Sequence, residues 1–153
     1  MDIERTIQAS AKVANLPVFE QSAALCYRFA KGKPEILLIT TRRSGKWIIP
    51  KGWPTKGLTS GQSAALEAWE EAGVSGMCAN APLGQFSYVK TRSGVGPAQF
   101  VVDVFPLHVR RLSAKYPEND VRRRKWYSPK KASHRVILPG LAVLLQGFAP
   151  KLN

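Results

Sequence analysis

Three of the ten acidic residues in this 153-residue chain, Glu67, Glu70 and Glu71, fall within five positions of one another. They lie in a segment whose ends are marked by local chemistry. Residues 50–60 carry two prolines and two glycines, which predicts a loop rather than a helix or a central strand. Thr59 then offers a hydroxyl to cap a helix, and Gln62, three residues on, completes a Thr-x-x-Gln capping box. Gly73 is placed to end the helix in a left-handed conformation. The spacing therefore predicts a helix over residues 60–72. Positions i, i+3 and i+4 are neighbours on a helix surface, so the three carboxylates share one exposed, anionic face. Ala65, Ala68, Trp69 and Ala72 lie on the opposite face and should pack on a sheet.

Like charges at this spacing destabilise a helix by roughly 0.2–0.5 kcal/mol per pair. A solvated face balanced by surface lysines is the ordinary reading of an acidic helix. It does not explain why scarce acids gather in a chain with 23 Lys and Arg and a formal net charge of +13. Hard divalent cations take oxygen ligands, commonly a few carboxylates together with substrate phosphates, and metal binding accounts for the clustering directly. The positive field as a whole attracts polyanions, whether nucleotides, polyphosphates, nucleic acid or anionic lipid, without choosing among them.

The flanking sequence supplies a scaffold. Ala23, Leu25, Tyr27 and Phe29 alternate with Ala24, Cys26 and Arg28, the period of a strand. Residues 31–34 form a turn, and residues 35–41 (EILLITT) read as a buried strand that makes a hairpin with the first. Residues 47–49 are a further short apolar piece. Residues 83–92 and 99–109 read as long strands joined by the glycine-rich turn 93–96, with Pro106 marking a bulge or a sheet edge. Residues 124–128 give another short strand and residues 141–148 a closing helix. Ile3, Ile7 and Ala11 stand at helical spacing, so residues 1–17 read as a short helix or arm ahead of one domain over residues 18–150.

Hydrophobic residues at 44% and charged residues at 22% are those of an ordinary globular protein. Cys26 and Cys78 lack the spacing of a disulfide framework or a zinc site and read as reduced thiols. No apolar run is long enough to cross a bilayer, and the first ten residues lack the basic-then-apolar pattern of a secretory signal. The expectation is a cytoplasmic protein with no membrane partner.

Residues 52–74 resemble the Nudix box, G-x5-E-x7-R-E-U-x-E-E-x-G-U, where U is aliphatic. Gly52, Glu67, Glu70, Glu71, Gly73 and Val74 stand at the required spacing, with Ala68 as a small residue at the first aliphatic position. Two positions depart: Leu58 replaces the first glutamate and Leu66 the arginine. A buried ion pair can be exchanged for packed apolar residues at little cost, so Leu58 and Leu66 are expected to touch or to share a cluster. The rival expectation is that loss of the arginine leaves the glutamates badly oriented.

The resemblance implies an α/β fold of α+β type, an α/β/α sandwich around a central mixed sheet. It implies one to three Mg²⁺ or Mn²⁺ ions held by Glu67, Glu70 and Glu71 with the carbonyl near Gly52, and hydrolysis of a diphosphate linkage. Glu70 and Glu71 are then the leading metal ligands and Glu67 a ligand or general base. Arg42, Arg43, Lys46 and Lys51 lead into the box, with Lys56 inside its loop, and as a group they suit the phosphates of a small polyanionic substrate. The run RRSGKWIIPKGW is similar to the diphosphoinositol and diadenosine polyphosphate hydrolases of that family. Removal of pyrophosphate from an RNA 5′ end, and a catalytically weak module that binds nucleotide or RNA, are the alternatives; homodimerisation is compatible with all of them. The basic run Arg122, Arg123, Arg124 and Lys125 before Trp126 and Tyr127 offers a nucleic-acid patch that strand alternation would split across two faces. His108 and His134 read as structural or surface residues, and Glu118 and Asp120 as the acids best placed to add a metal ligand.

Overall fold

The structure, a computed structural model, describes residues 15–152 together with the backbone of Glu4–Arg5. Its elements in chain order are β1 (Glu4–Arg5), β2 (Val18–Ala30), β3 (Lys33–Thr40), β4 (Trp47–Ile48), β5 (Lys51–Gly52), α1 (Ser60–Ala72), β6 (Val74–Cys78), β7 (Gly84–Arg92), β8 (Gly96–Leu112), β9 (Arg124–Tyr127), α2 (Pro129–Arg135) and α3 (Pro139–Gln146). The strands form one mixed sheet in the order β1-β7-β8-β2-β3-β4, with β5 on β2, β6 on β8 and β9 on β3. β2 and β8 run parallel over ten paired positions, from Val18↔Gln99 to Tyr27↔His108. The other pairings are antiparallel.

Two-residue alternation sends the central strands into two cores. Ala23, Leu25, Ile36 and Leu38 face one side with Leu138, Leu141 and Leu145 from the α2–α3 region. Ala24, Cys26, Leu37 and Ile39 face the other with Ala64, Ala68 and Ala72 of α1. Burial on both faces is why EILLITT reads as an unbroken apolar run, and the layers are those of an α/β/α sandwich. The β2–β3 turn holds Lys31 at φ 52° and Gly32 at φ 77°. Two successive positive φ values match the two-residue turns whose twist suits a hairpin.

Helix α1 begins and ends as its sequence requires. The Thr59 hydroxyl accepts from Gln62 N–H at 3.1 Å while Gln62 Oε1 accepts from Thr59 N–H at 2.9 Å. Gly73 takes φ 69° and its N–H returns to the carbonyls of Ala68 and Trp69. The buried face differs from the expected one. It consists of Gly61, Ser63, Ala64, Ala68, Glu71 and Ala72, with Trp69 only half-buried. Small residues let the helix lie close to the sheet, where a Cβ on Gly61 would stand 3.0 Å from the Ala79 carbonyl.

Other expectations are corrected. β6 and α2 were not foreseen, and α3 starts two residues before the expected 141. Pro106 is neither a bulge nor at an edge. It lies inside β8, paired with Leu25 on one side, at the gap on the other side where β7 gives way to β6. Its carbonyl accepts from Ala79 N–H at 3.0 Å, so the amide proton it lacks would point into that gap. The helix or arm expected over residues 1–17 lies largely outside the described residues; Glu4–Arg5 pair as strand with Lys90 and Val89.

A Cβ on Gly73 would overlap the Tyr116 ring, whereas one on Gly32 would meet nothing within 4 Å. Both glycines hold positive φ, so each substitution carries left-handed strain of about 1–2 kcal/mol. Gly73→Ala should therefore lower the denaturation midpoint more than Gly32→Ala in urea titrations of the two variants. Equal losses would contradict the packing at Gly73.

Candidate active site

The two-residue strand β5 fixes the floor of the site. Gly52 pairs with Ser22 and Lys51 with Ala23 of the central strand β2, and Ala24 N–H donates to the Pro50 carbonyl at 3.0 Å. Helix α1 lies over this backbone. Glu71 is 7% exposed, not part of a solvated anionic face, and its Oε1 accepts from Lys51 N–H at 3.3 Å. The Glu67 carboxylate occupies the space a side chain at position 52 would need, since a Cβ there would overlap it. Gly52 is thus required for close approach, a constraint independent of its backbone angles.

Glu67 and Glu71 hydrogen-bond to each other through their carboxyl groups. Burial pushes Glu71 up to about 8, opposed by the Arg122 guanidinium and reinforced by the bond to Glu67. Burial also raises Glu67; its bond to Glu71 pulls the other way, and Glu70 and Glu118 add to the rise. Burial beside a second carboxyl thus favours the protonated form of Glu71, because a carboxylate drawn out of water next to another is costly to ionise. Glu70 is half-buried on the same side of the helix, and its carbonyl accepts from Glu118 N–H at 3.0 Å.

Glu118 and Arg122 come from the segment between β8 and β9. Arg122, with its side chain 10% exposed, lies 3.6 Å from Glu71 Oε2 and 3.0 Å from Glu118 Oε1. Its Nη1 donates to the Thr40 carbonyl at 2.9 Å. Of the two later acids considered, Glu118 joins the site, while Asp120 accepts from Asn119 Nδ2 at 3.0 Å in an exposed turn. Arg122 was legible in the sequence only as one member of a basic run. The structure disperses that run: Arg123 stacks over Trp47, and Arg124 donates to the Ala72 carbonyl at 2.6 Å and covers Tyr116.

The expected phosphate-binding residues separate into two groups. Lys51 is at the site by its backbone, and its ammonium donates to the Tyr88 hydroxyl at 2.8 Å. Arg42, Arg43 and Lys46 are exposed on the β3–β4 turn. That turn is held by Thr41 N–H to the Lys46 carbonyl at 2.8 Å and Lys46 N–H to Thr41 Oγ1 at 2.9 Å. Arg42 leans toward the site, 3.9 Å from Glu118. The expected contact of Leu58 with Leu66 has no counterpart in either hydrophobic cluster, and Leu58 is 40% exposed. Polar ties hold that loop: Thr55 N–H to Ser63 Oγ at 3.0 Å and Leu58 N–H to the Thr55 carbonyl at 3.0 Å. His108 stacks on Tyr27 at 4.9 Å, away from the glutamates. Both thiols are free, with Cys26 buried and Cys78 donating to the Gly61 carbonyl at 3.3 Å.

Among the described residues, no group of three His, Cys, Asp or Glu side chains is arranged to hold a metal. The chemistry of the donors is nonetheless that of a hard-cation site. All the donors are oxygen, the ligand type that hard divalent cations take.

Residues 20–146 match the family described as NUDIX domain. Nudix hydrolase 21, chloroplastic, of Arabidopsis thaliana is 34% identical over 112 residues, covering 69% of this chain and 54% of that protein. Nudix hydrolase 13, mitochondrial, of the same plant is 31% identical over 108 residues, covering 67% and 53%. The chain thus spans about half the length of these curated relatives. Among solved structures, the Ap4A hydrolase of C. elegans superposes with a TM-score of 0.60 at 20% identity, covering 84% of this chain and 94% of that one. The NUDIX domain of Shewanella oneidensis NrtR, complexed with ADP ribose, gives 0.64 at 14% identity, covering 87% and 88%. At these identities the likeness is one of fold.

A carboxyl that binds its proton more tightly in the folded chain than in the unfolded one contributes stability that is fully present below the unfolded pKa and is lost as pH rises through the folded value. For Glu71 the window runs from 4.5 to about 8. Thermal melts of the metal-free protein should therefore show stability declining across that window, with the decline largely removed in Glu71→Gln. Parallel curves for the two proteins would contradict the raised carboxyl.

Proposed function

The chain belongs to the NUDIX domain family, and from that membership we propose that it is a metal-dependent pyrophosphohydrolase. Its substrate would be a nucleoside diphosphate derivative, a dinucleoside polyphosphate or a diphosphoinositol polyphosphate. The observation that carries this reading is the meeting of the Glu67 and Glu71 carboxyls over the Lys51–Gly52 backbone, with Glu70 beside them. Mg²⁺ or Mn²⁺ held there, by Glu67, Glu70, Glu71 and the carbonyl near Gly52, would polarise the phosphoryl oxygens and lower the pKa of an attacking water.

The residues of the chain supply the rest. Lys51 N–H and Arg122 fix the two oxygens of Glu71 from opposite sides. Glu67, less buried than Glu71, is the better placed of the two to take a proton from water once Glu71 is ionised. Arg42, Arg43 and Lys46 project from the neighbouring turn, where a chain of phosphates can neutralise them; guanidinium groups do so through paired contacts. Catalysis on a phosphoanhydride is mostly positioning and charge neutralisation, and these groups provide both.

A nucleotide is favoured over an inositol ring by the surface next to Gly52. Trp53 is exposed, packs edge-on to Phe19 at 5.7 Å, and shares the Arg92 guanidinium with it at 4.7 and 4.5 Å. A face of this kind suits a planar base. The C. elegans Ap4A hydrolase and the ADP-ribose complex of the Shewanella domain are neighbours in fold whose ligands are adenine nucleotides. An RNA 5′ end draws less support, because the basic run proposed to hold it is spent on Trp47, Ala72, Tyr116 and the glutamates.

Chromatographic assays of the products formed with Mg²⁺ from dinucleoside polyphosphates, diphosphoinositol phosphates, nucleotide sugars and capped RNA test the reading. Turnover should concentrate on the nucleotides. Glu71→Gln, by removing a proposed metal ligand, should abolish measurable turnover, with the fold intact by circular dichroism. Silence on every substrate, or unchanged activity in Glu71→Gln, would reject it.

A further inference from the structure

The box calls for an arginine immediately before its first helix glutamate, and this chain has Leu66 there. Helix α1 contains no basic residue at all, yet carries Glu67, Glu70 and Glu71. A buried carboxyl pair with no cation nearby is costly, and its two side chains have nothing to hold them in one orientation. The missing charge must come from another element.

We infer that Arg122 is the positioning residue of this site, doing from the segment before β9 what the box assigns to position 66. This inference rests on the metal-hydrolase reading above. Its geometric basis is that one guanidinium makes three directed contacts. Nη2 faces Glu71 Oε2 at 3.6 Å, Nε donates to Glu118 Oε1 at 3.0 Å, and Nη1 donates to the Thr40 carbonyl at 2.9 Å. Thr40 ends a strand whose last five residues are buried, so the guanidinium is referenced to the interior of the sheet. Arg123 N–H to Thr40 Oγ1 at 2.9 Å, and Thr40 N–H to the Arg123 carbonyl at 3.0 Å, fix the backbone on the next residue.

The same arginine binds Glu118, whose own N–H is bonded to the Glu70 carbonyl. Arg122 therefore ties three elements together: the end of β3, the segment carrying Glu118, and the helix face carrying the glutamates. A lysine could supply the charge but not the planar fork that reaches three acceptors at once. Partners of this kind hold a metal's ligands in orientation, and losing one typically costs 10–100-fold in affinity or activity.

Charge alone and positioning make opposite predictions for metal affinity. If Arg122 only competes with the cation for Glu71, Arg122→Gln should bind Mn²⁺ more tightly, because the site becomes more negative. If it positions Glu71, Arg122→Gln should bind about tenfold or more weakly despite that extra negative charge. Mn²⁺ titrations followed by electron paramagnetic resonance at pH 8, without substrate, separate the two. Leu66→Arg added to Arg122→Gln should recover affinity, and on any substrate turned over in the assays above kcat should fall in Arg122→Gln with little change in KM. Unchanged or tighter Mn²⁺ binding in Arg122→Gln overturns the inference. Should that variant melt below the assay temperature, Arg122→Lys decides instead: weakened binding supports positioning by the fork, and wild-type affinity overturns it. Failure of the wild-type chain to bind Mn²⁺ would count against the hydrolase reading itself.

Discussion

Helix α1 rests on the sheet through Gly61, Ala64, Ala68 and Ala72, residues too small to hold it away, and this close approach brings its glutamates onto the Lys51–Gly52 backbone. The rest of the site follows from that contact. A side chain at position 52 would displace Glu67, and a bulkier face on α1 would lift Glu71 from the Lys51 amide. β5 is only two residues long, but it is pinned to the central strand β2, so the floor under the glutamates inherits the rigidity of the core.

Close approach creates an electrostatic problem that the fold resolves locally. Glu71 is drawn out of water beside the half-buried Glu67, which favours its protonated form, and the Arg122 guanidinium stands 3.6 Å from it. The long-range field of a chain with net charge +13 favours anionic ligands, whereas the charge balance at Glu71 is set by near neighbours such as Arg122.

The local parts of this arrangement were readable in the sequence. The proline- and glycine-rich loop, the Thr59–Gln62 box and Gly73 placed α1 to the residue, since each acts through its immediate neighbours. Alternation in residues 23–29 and the apolar run at residues 35–41 placed the central strands. What could not be read depends on distant pairing. β6 has no alternation of its own and is a strand because β8 lies beside it. The parallel match of β2 with β8 joins segments some eighty residues apart. α2 lacks an apolar stripe, and its one local signal, Ser128 capping ahead of Pro129, went unread among the lysines.

In the site the same division holds. The i, i+3, i+4 spacing identified Glu67, Glu70 and Glu71, but it put Glu71 in solvent because helical spacing cannot say where the sheet will lie. Glu118 is readable only jointly with Asp120 as a candidate extra metal ligand, and Arg122 only as part of a basic run. A divalent cation bound between the Glu67 and Glu71 carboxyls, as proposed, would displace the proton that burial favours on Glu71. Calorimetric titration of the protein with Mg²⁺ at pH 7, in two buffers of different ionisation enthalpy, measures proton release directly. The account predicts binding with release of close to one proton, the release being abolished in Glu71→Gln; binding with no proton released would contradict it.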